Sequence, residues 1–384
     1  MRIAIVHDYF TQLGGAEKVA EELYRMLPTS SLFATVAFRN CMPPLIENVD
    51  VQTSWMQNLP QINKYYRLYF LLYPFAVASM DLSKYDLVLS SSSSYAKGIK
   101  TDRDAIHVCY CHTPMRWVWS YKKYSEKESF GFTRGFLLPI LIRGLKYWDE
   151  EASRQPDHFV ANSKVVAERI RRAYGRSAEV IHPPIDTERF HASDEREDYY
   201  VILSRLVSYK RIDVAIRACT ERNIKLVVIG DGTDRKRLEA LAGPSITFLG
   251  RAPDEVVEHC VSRCRALIFP GEEDFGMAPL EVAAAGRPTI AYRAGGAIET
   301  IVENETGLFF DHQTSEDLGE AIRRFERQDW CPDDLMQHSK NFSVQVFQDR
   351  FRSFLRRIGA PVPAPLFKSH PSLVVENSLD SVAS

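Results

Sequence analysis

Short apolar runs alternate with longer stretches of helical period along most of this chain, the rhythm of a parallel α/β fold. The first run, Ile3–Val6, is followed by a loop and a helical pattern near Ala16–Met26. Leu87–Leu89, Ile106–Cys111 and Phe159–Ala161 read as further strands, and a helix starts near Ser163. A polar, charge-dense stretch, His191–Asp198, then interrupts the pattern. A second set of strands follows it: Tyr200–Ser204, Leu226–Ile229, Ile246–Leu249, Ala266–Phe269 and Thr289–Ala291, each with a turn or helix-start signal behind it. The pattern predicts two doubly wound, Rossmann-like domains, 1–190 and 191–340, joined by a linker at 183–198 that Pro183-Pro184 stiffens at its entry. A helix over 341–358 is expected to pack back on the first domain, and the Pro- and Ser-rich residues 359–384 to form a flexible tail. Strand ends of both domains then face one cleft, where open α/β sheets bind ligands.

Composition narrows the field. The chain has 384 residues, enough for two cores, and its net charge of −2 argues against a dedicated nucleic-acid binder. Residues 1–190 carry an excess of 4 positive charges and the remainder an excess of 6 negative ones. A mildly basic front half suits phosphates or an anionic membrane surface, and a chance asymmetry fits equally well. Seven scattered cysteines, without a Cys/His partner pair at metal spacing, read as buried thiols in a reducing compartment. No signal-peptide pattern precedes Ile3, and the apolar run Phe136–Ile142 is too short to span a bilayer. The expected location is the cytoplasm, peripheral on the inner face of the cytoplasmic membrane.

The candidate chemistry begins in Phe269–Glu281. A strand ends there, a loop runs through Gly276 and Met277, and a helix starts near Ala278-Pro279. Backbone N–H groups at a helix start can cradle a diphosphate. Glu273 lies before the turn and Glu281 inside the first helical turns, so the two could grip a sugar and a ribose at opposite ends of one diphosphate. A charged loop before an ordinary acidic helix start fits that spacing as well. Arg205 and Lys210 follow the strand Tyr200–Leu203 and could neutralise a leaving diphosphate, although a solvated basic loop is the usual fate of such a run. Gly14 and Gly15 open the first helix and allow close backbone approach, without the G-x-G-x-x-G spacing of a nicotinamide site. His112 directly follows a strand, where it could reach a substrate hydroxyl or serve only as structure; His7 is given no role.

These segments resemble glycosyltransferase family 4 (group 1), a GT-B retaining family. Glu273 to Glu281 is similar to its E-x7-E motif, including Phe275-Gly276 and the Ala-x-Gly-x-Pro at Ala284–Pro288. Gly295-Gly296-Ala297-Ile298-Glu299 resembles its Gly-Gly-x-x-Glu turn, and Arg205–Lys210 its Arg-Leu-x-x-x-Lys element, with Arg211 departing from the usual small residue. The resemblance implies a GT-B fold, with Glu273 on the donor sugar and Glu281 on the nucleotide ribose. It places His112 near the sugar, Gly14 and Gly15 in the glycine loop, and Asp186 at the interdomain hinge. Val6-His7-Asp8-Tyr9 and Glu272–Gly276 resemble bacterial O-antigen and exopolysaccharide mannosyltransferases. That implies GDP-mannose as donor and a saccharide, free or polyprenyl-pyrophosphate-linked, as acceptor, the base being read by backbone and shape around Gly250 and Arg251.

The expected chemistry is glycosyl transfer with retention, catalysed by Glu273, His112, Arg205 and Lys210. The donor would be held by Gly14, Gly15, Arg205, Lys210, Arg251, Gly276, Met277, Ala278, Pro279 and Glu281. No cofactor or metal is expected, because two cations and a helix start can replace a divalent ion. The aromatic and cationic stretches Lys64–Phe70 and Trp117–Leu137 fit a membrane surface or a lipid acceptor, and fit a buried aromatic subcore equally well. A nucleotide-sugar epimerase or hydrolase, or a sugar-nucleotide sensor without turnover, are the rival readings.

Overall fold

The computed structural model describes residues 1–119 and 137–360. Most of Trp117–Leu137 and the tail from 361 onward lie outside the described residues. The first sheet contains β1 (Ile3–His7), β2 (Ser31–Ala34), β3 (Val51–Thr53), β4 (Leu87–Ser92), β5 (Ile106–Cys111), β6 (His158–Ala161) and β7 (Glu179–Val180). The second contains β8 (Tyr200–Leu203), β9 (Leu226–Ile229), β10 (Ile246–Gly250), β11 (Leu267–Phe269), β12 (Thr289–Tyr292) and β13 (Gly307–Phe310). Their orders are β3-β2-β1-β4-β5-β6-β7 and β10-β9-β8-β11-β12-β13, and the pairings within them are parallel. The α/β class and the two doubly wound sheets of a GT-B fold are therefore observed.

Strand order explains where function can sit. The order reverses between β1 and β4 in one sheet and between β8 and β11 in the other. At such a switch point the two following loops diverge and leave a crevice beyond the strand ends. The glycine loop follows β1, the Arg205–Lys210 run follows β8 and the Glu273 loop follows β11, so topology alone brings these segments to crevices.

Each sheet buries both faces. Ile5, Leu89 and Tyr110 pack with Leu23 on one side of the first sheet, while Ala4, Val6 and Val88 pack with Tyr73 and Tyr95 on the other. Continuous apolar strands are what such two-sided burial requires. The helix Val344–Arg357 supplies Phe347, Phe351, Phe354 and Leu355 to the first core, a stripe of helical period. The outgoing and returning crossings are tied together, because Ile185 N–H donates to the Phe342 carbonyl at 2.9 Å.

Three details differ from the sequence reading. β2, β3, β7 and β13 were not anticipated; β3 and β7 are edge strands of three and two residues with no buried side chain, so no apolar run marks them. The tail does not begin at Gly359: Ala360 is fully buried against the first core, and its N–H donates to the Leu355 carbonyl at 2.9 Å. The cysteines are not uniformly buried, since Cys331 is exposed and Cys41 half-buried. Among the described residues, no helix is long and apolar enough to cross a membrane.

Candidate active site

β8 and β11 pair directly, with Val201 opposite Leu267, so the loops behind them share one end of the sheet. Lys210 Nζ there lies 2.7 Å from Glu273 Oε1. Arg205 reaches across the cleft and donates to Gln12 Oε1 at 2.7 Å. Glycines hold the acidic loop in place. Gly295 has φ +62, and a Cβ on it would lie 2.1 Å from the Glu273 carbonyl oxygen. The neighbouring Gly296 N–H donates to that same oxygen at 2.9 Å. The Gly295-Gly296 turn is thus the support that presents Glu273.

Gly276, at φ +85, turns the chain into the helix Ala278–Ala284. This helix has only 7 residues. Its dipole offers at most roughly half a charge, so the full charges of Arg205 and Lys210 dominate any attraction for an anion. Glu281, buried on this helix, pairs with Lys18 Nζ at 2.9 Å from the opposite half.

The first half is organised around Asp8, immediately after β1. Its carboxylate accepts from the backbone N–H groups of Ser93, Ser94, Tyr95 and Ala96 at 2.6, 2.8, 2.8 and 2.6 Å. The Ser92 hydroxyl lies at 3.3 Å. Five donors use the acceptor capacity of one carboxylate, so Asp8 clamps the ends of β1 and β4 together. The glycine loop leaves this clamp, and a Cβ on Gly15 would lie 2.8 Å from Met277 Sδ across the cleft. His112 follows β5, with Nε2 2.8 Å from Ser91 Oγ. Burial, reinforced by the neighbouring His7, pushes the His112 pKa down to about 3, so the ring is neutral.

Charged groups close the cleft from both sides. Asp274 meets Arg116 at 2.6 Å and also pairs with Arg169, while the Ser163 hydroxyl donates to the Asp274 carbonyl at 2.6 Å. Glu299 accepts from the N–H groups of Lys164 and Val165 at 3.0 and 3.2 Å and lies 3.1 Å from His182 Nε2. Burial pushes the carboxyls of Asp274, Glu281 and Glu299 up, but their partners outweigh it and hold all three below the ordinary range. Carboxyls with depressed values favour the closed form above their ordinary pKa and lose that contribution as pH falls through the depressed values. Small-angle scattering should therefore give a constant radius of gyration from about pH 8 to pH 5 and an expansion below about pH 4. Asp274→Asn should be partly expanded already at neutral pH.

Gly14, Gly15, His112, Arg205, Lys210, Arg251, Glu273, Gly276, Met277, Ala278 and Glu281 all line one cleft of about 3990 Å³. Small-ligand pockets run to about 300–1,000 Å³, so this cleft has room for a donor and an acceptor together. Pro279 does not line it; it is buried in the first turn of its helix, where its fixed φ suits helix initiation. Arg211 turns to Asp213 and Gln313 rather than to the cleft. Asp186 accepts from the Arg189 N–H at 3.2 Å and lines the cleft. Sequence reasoning assigned nothing to Lys18, Arg116, Asp231 or Gly232, all of which line it. The Gly230-Asp231-Gly232 turn after β9 was a legible signal: a Cβ on Gly232 would lie 2.2 Å from the Leu206 carbonyl oxygen. Lys18 carried no signal, being one polar position on an amphipathic helix. Among the described residues, no group of three or more His, Cys, Asp or Glu is placed to hold a metal ion.

Comparison with known proteins agrees with this fold. The family model described as Glycosyltransferase Family 4 matches residues 13–189, and that described as Glycosyl transferases group 1 matches residues 185–342. An uncharacterized glycosyltransferase of Methanocaldococcus jannaschii is 24% identical over 227 residues, 58% of this chain and 64% of that protein. A GDP-mannose-dependent alpha-mannosyltransferase of Mycobacterium tuberculosis is 25% identical over 214 residues, 51% of this chain and 56% of that protein. The chain thus spans under two thirds of the length of these relatives. The crystal structure of Anabaena HepE in complex with UDP superposes with a TM-score of 0.69 at 16% identity, covering 93% of this chain and 100% of that one. Matched from residue 13 to residue 342 by two models of one enzyme group, the chain belongs to glycosyltransferase family 4, group 1.

Proposed function

We propose that this protein transfers a sugar, with retention of anomeric configuration, from a nucleotide-diphosphate donor to a saccharide or a polyprenyl-pyrophosphate-linked saccharide in bacterial surface polysaccharide synthesis. One observation carries the reading: Arg205, Lys210, Glu273 and Glu281 all line a single cleft between two switch points. The barrier is departure of the diphosphate from an oxocarbenium-like carbon. Arg205 and Lys210 stabilise negative charge as it grows on the leaving oxygens. Glu273, 2.7 Å from Lys210, orients the sugar hydroxyls beside that diphosphate. Glu281 accepts from the ribose diol, with Lys18 holding its carboxylate ionised. Closure through Asp274 and Glu299 excludes water and limits donor hydrolysis. With two cations on the leaving group the transfer needs no divalent ion, so it should persist in EDTA.

Mannose from GDP-mannose is the donor we favour. The supports are the sequence resemblance and the name of the Mycobacterium tuberculosis relative. The UDP bound by Anabaena HepE makes uridine donors the competing class. A thermal-shift panel of nucleoside diphosphates and their sugars separates them, since ligand at 100 times Kd stabilises by about 2.7 kcal/mol. Guanosine ligands are expected to rank first; a uridine ligand in that place would overturn the donor assignment. Labelled donor incubated without acceptor should remain unchanged, whereas an epimerase would alter its sugar.

We also propose that the first half rests on an anionic membrane surface. Leu68, Phe75 and Ile140 are 70%, 67% and 53% exposed, near Lys64 and Arg67 in sequence or on the helix that follows residue 136. Sedimentation with anionic liposomes at low salt should capture the protein, and its absence from the pellet would remove the idea.

A further inference from the structure

His112, expected from the sequence to be one of the catalytic residues, ends a buried chain of polar groups whose other members the transfer chemistry described above does not use. β1, β4 and β5 are consecutive in the first sheet, and the register sets His7 beside Ser91 and Ser91 beside Tyr110. Side chains alternate along a strand, so His7, Ser91 and His112, two residues beyond Tyr110, share one face. Ser91 Oγ lies 3.1 Å from His7 Nδ1 and 2.8 Å from His112 Nε2. The far nitrogen of His7, Nε2, lies 3.8 Å from Glu17 Oε1, and both side chains are 3% exposed. Glu17 Oε2 is buried without a hydrogen-bond partner. Ser91 is fully buried.

A neutral imidazole carries one N–H, and a serine hydroxyl has one proton to donate. Two proton arrangements therefore satisfy the chain, running in opposite directions, and Glu17 selects between them. An ionised Glu17 carboxylate offers only acceptors, so a bare His7 Nε2 lone pair facing it would be repelled. The proton of His7 then resides on Nε2, which leaves Nδ1 to accept from the Ser91 hydroxyl. The Ser91 oxygen in turn accepts from His112 Nε2–H.

We propose that Glu17, His7 and Ser91 are positioning residues that fix His112 as the Nε2–H tautomer, leaving its Nδ1 a bare acceptor for a hydroxyl of the sugar bound in the cleft. This role rests on the glycosyl-transfer reading; the tautomer does not. Its consequence is a specificity rule. A bare nitrogen receives a hydroxyl proton and turns away a carboxylate or another pure acceptor at the same position, so neutral hexosyl donors are favoured over uronic ones. A site that must pair a hydroxyl discriminates strongly against analogues lacking it.

Nitrogen-15 spectra of the full-length, histidine-labelled protein test the tautomer without any ligand, with His112→Gln assigning the His112 signals. The wild type should carry its His112 proton on Nε2, with Nδ1 in the unprotonated range. Ser91→Ala should release the ring into a mixture of tautomers, and Ser91→Thr, which keeps the hydroxyl, should restore the single form. Glu17→Gln gives His7 Nε2 an amide donor and should move proton density to His112 Nδ1. With GDP-mannose as donor, Ser91→Ala should lower kcat about tenfold or more, equivalent to one lost hydrogen bond, and Ser91→Thr should recover it. A proton on His112 Nδ1 in the wild type, as a doubly protonated His7 would impose, overturns the proposal. So does a tautomer that ignores both Ser91→Ala and Glu17→Gln. A chain that transfers no sugar but shows the expected tautomers contradicts only the enzymatic reading.

Discussion

Lys210→Ala is expected to lower kcat/KM for sugar transfer by about 10²–10³-fold, the loss that follows removal of one preorganised donor to a developing oxyanion. The side chain sits at the cleft, with Glu273 as its partner at 2.7 Å, so the variant should fold normally. Most of the loss should fall on kcat, because the leaving diphosphate bears more negative charge in the transition state than in the bound donor. Lys210→Arg keeps the charge but not the compact ammonium, and should recover only part of the rate. A rate within threefold of wild type for Lys210→Ala, measured at saturating donor and acceptor, would remove this residue from the mechanism.

The largest effect on stability should come from a residue with no role in the chemistry. Asp8→Ala leaves four backbone N–H groups and a serine hydroxyl without their acceptor in a buried turn. A buried donor left unpaired costs about 1–3 kcal/mol, and partial relaxation of the loop should bring the total to roughly 4 kcal/mol. In a domain of this size that corresponds to a fall in Tm of roughly 10 °C. Asp8→Asn keeps one oxygen and should lose about half as much. Calorimetry decides the point: a Tm unchanged in Asp8→Ala would mean that the turn after β4 holds its shape unaided. Because the glycine loop leaves the same clamp, the surviving folded fraction should also bind nucleoside diphosphate more weakly.

The sequence made the alternation of strands and helices legible because most strands are buried on both faces and therefore read as uninterrupted apolar runs. It could not register β3 or β7, edge strands of three and two residues. The site was legible where local backbone geometry imposes a residue type. Gly295 and Gly296 pack against the Glu273 loop where no Cβ fits, and Gly276 needs a positive φ, so the backbone dictates the residue type at positions that the family resemblance had singled out. Pairings across the cleft were not legible. Lys18 and Glu281 are 263 residues apart, and Arg116 and Asp274 meet only because two sheets close on each other. His7 looked like an ordinary core histidine, since nothing along the chain places it beside Ser91; only the register of β1 on β4 does. The family resemblance supplied roles for the two acids, while the strand order supplies the reason they share a cleft with Arg205 and Lys210.

A crystal structure of the chain with a nucleoside diphosphate sugar bound would probe most directly whether these charges serve one ligand. The pyrophosphate should lie within about 3 Å of both the Arg205 guanidinium and the Lys210 ammonium, with Glu273 turned to sugar hydroxyls and Glu281 to the ribose. A pyrophosphate seated elsewhere, with Lys210 still paired to Glu273 and Arg205 still bound to Gln12, would contradict it.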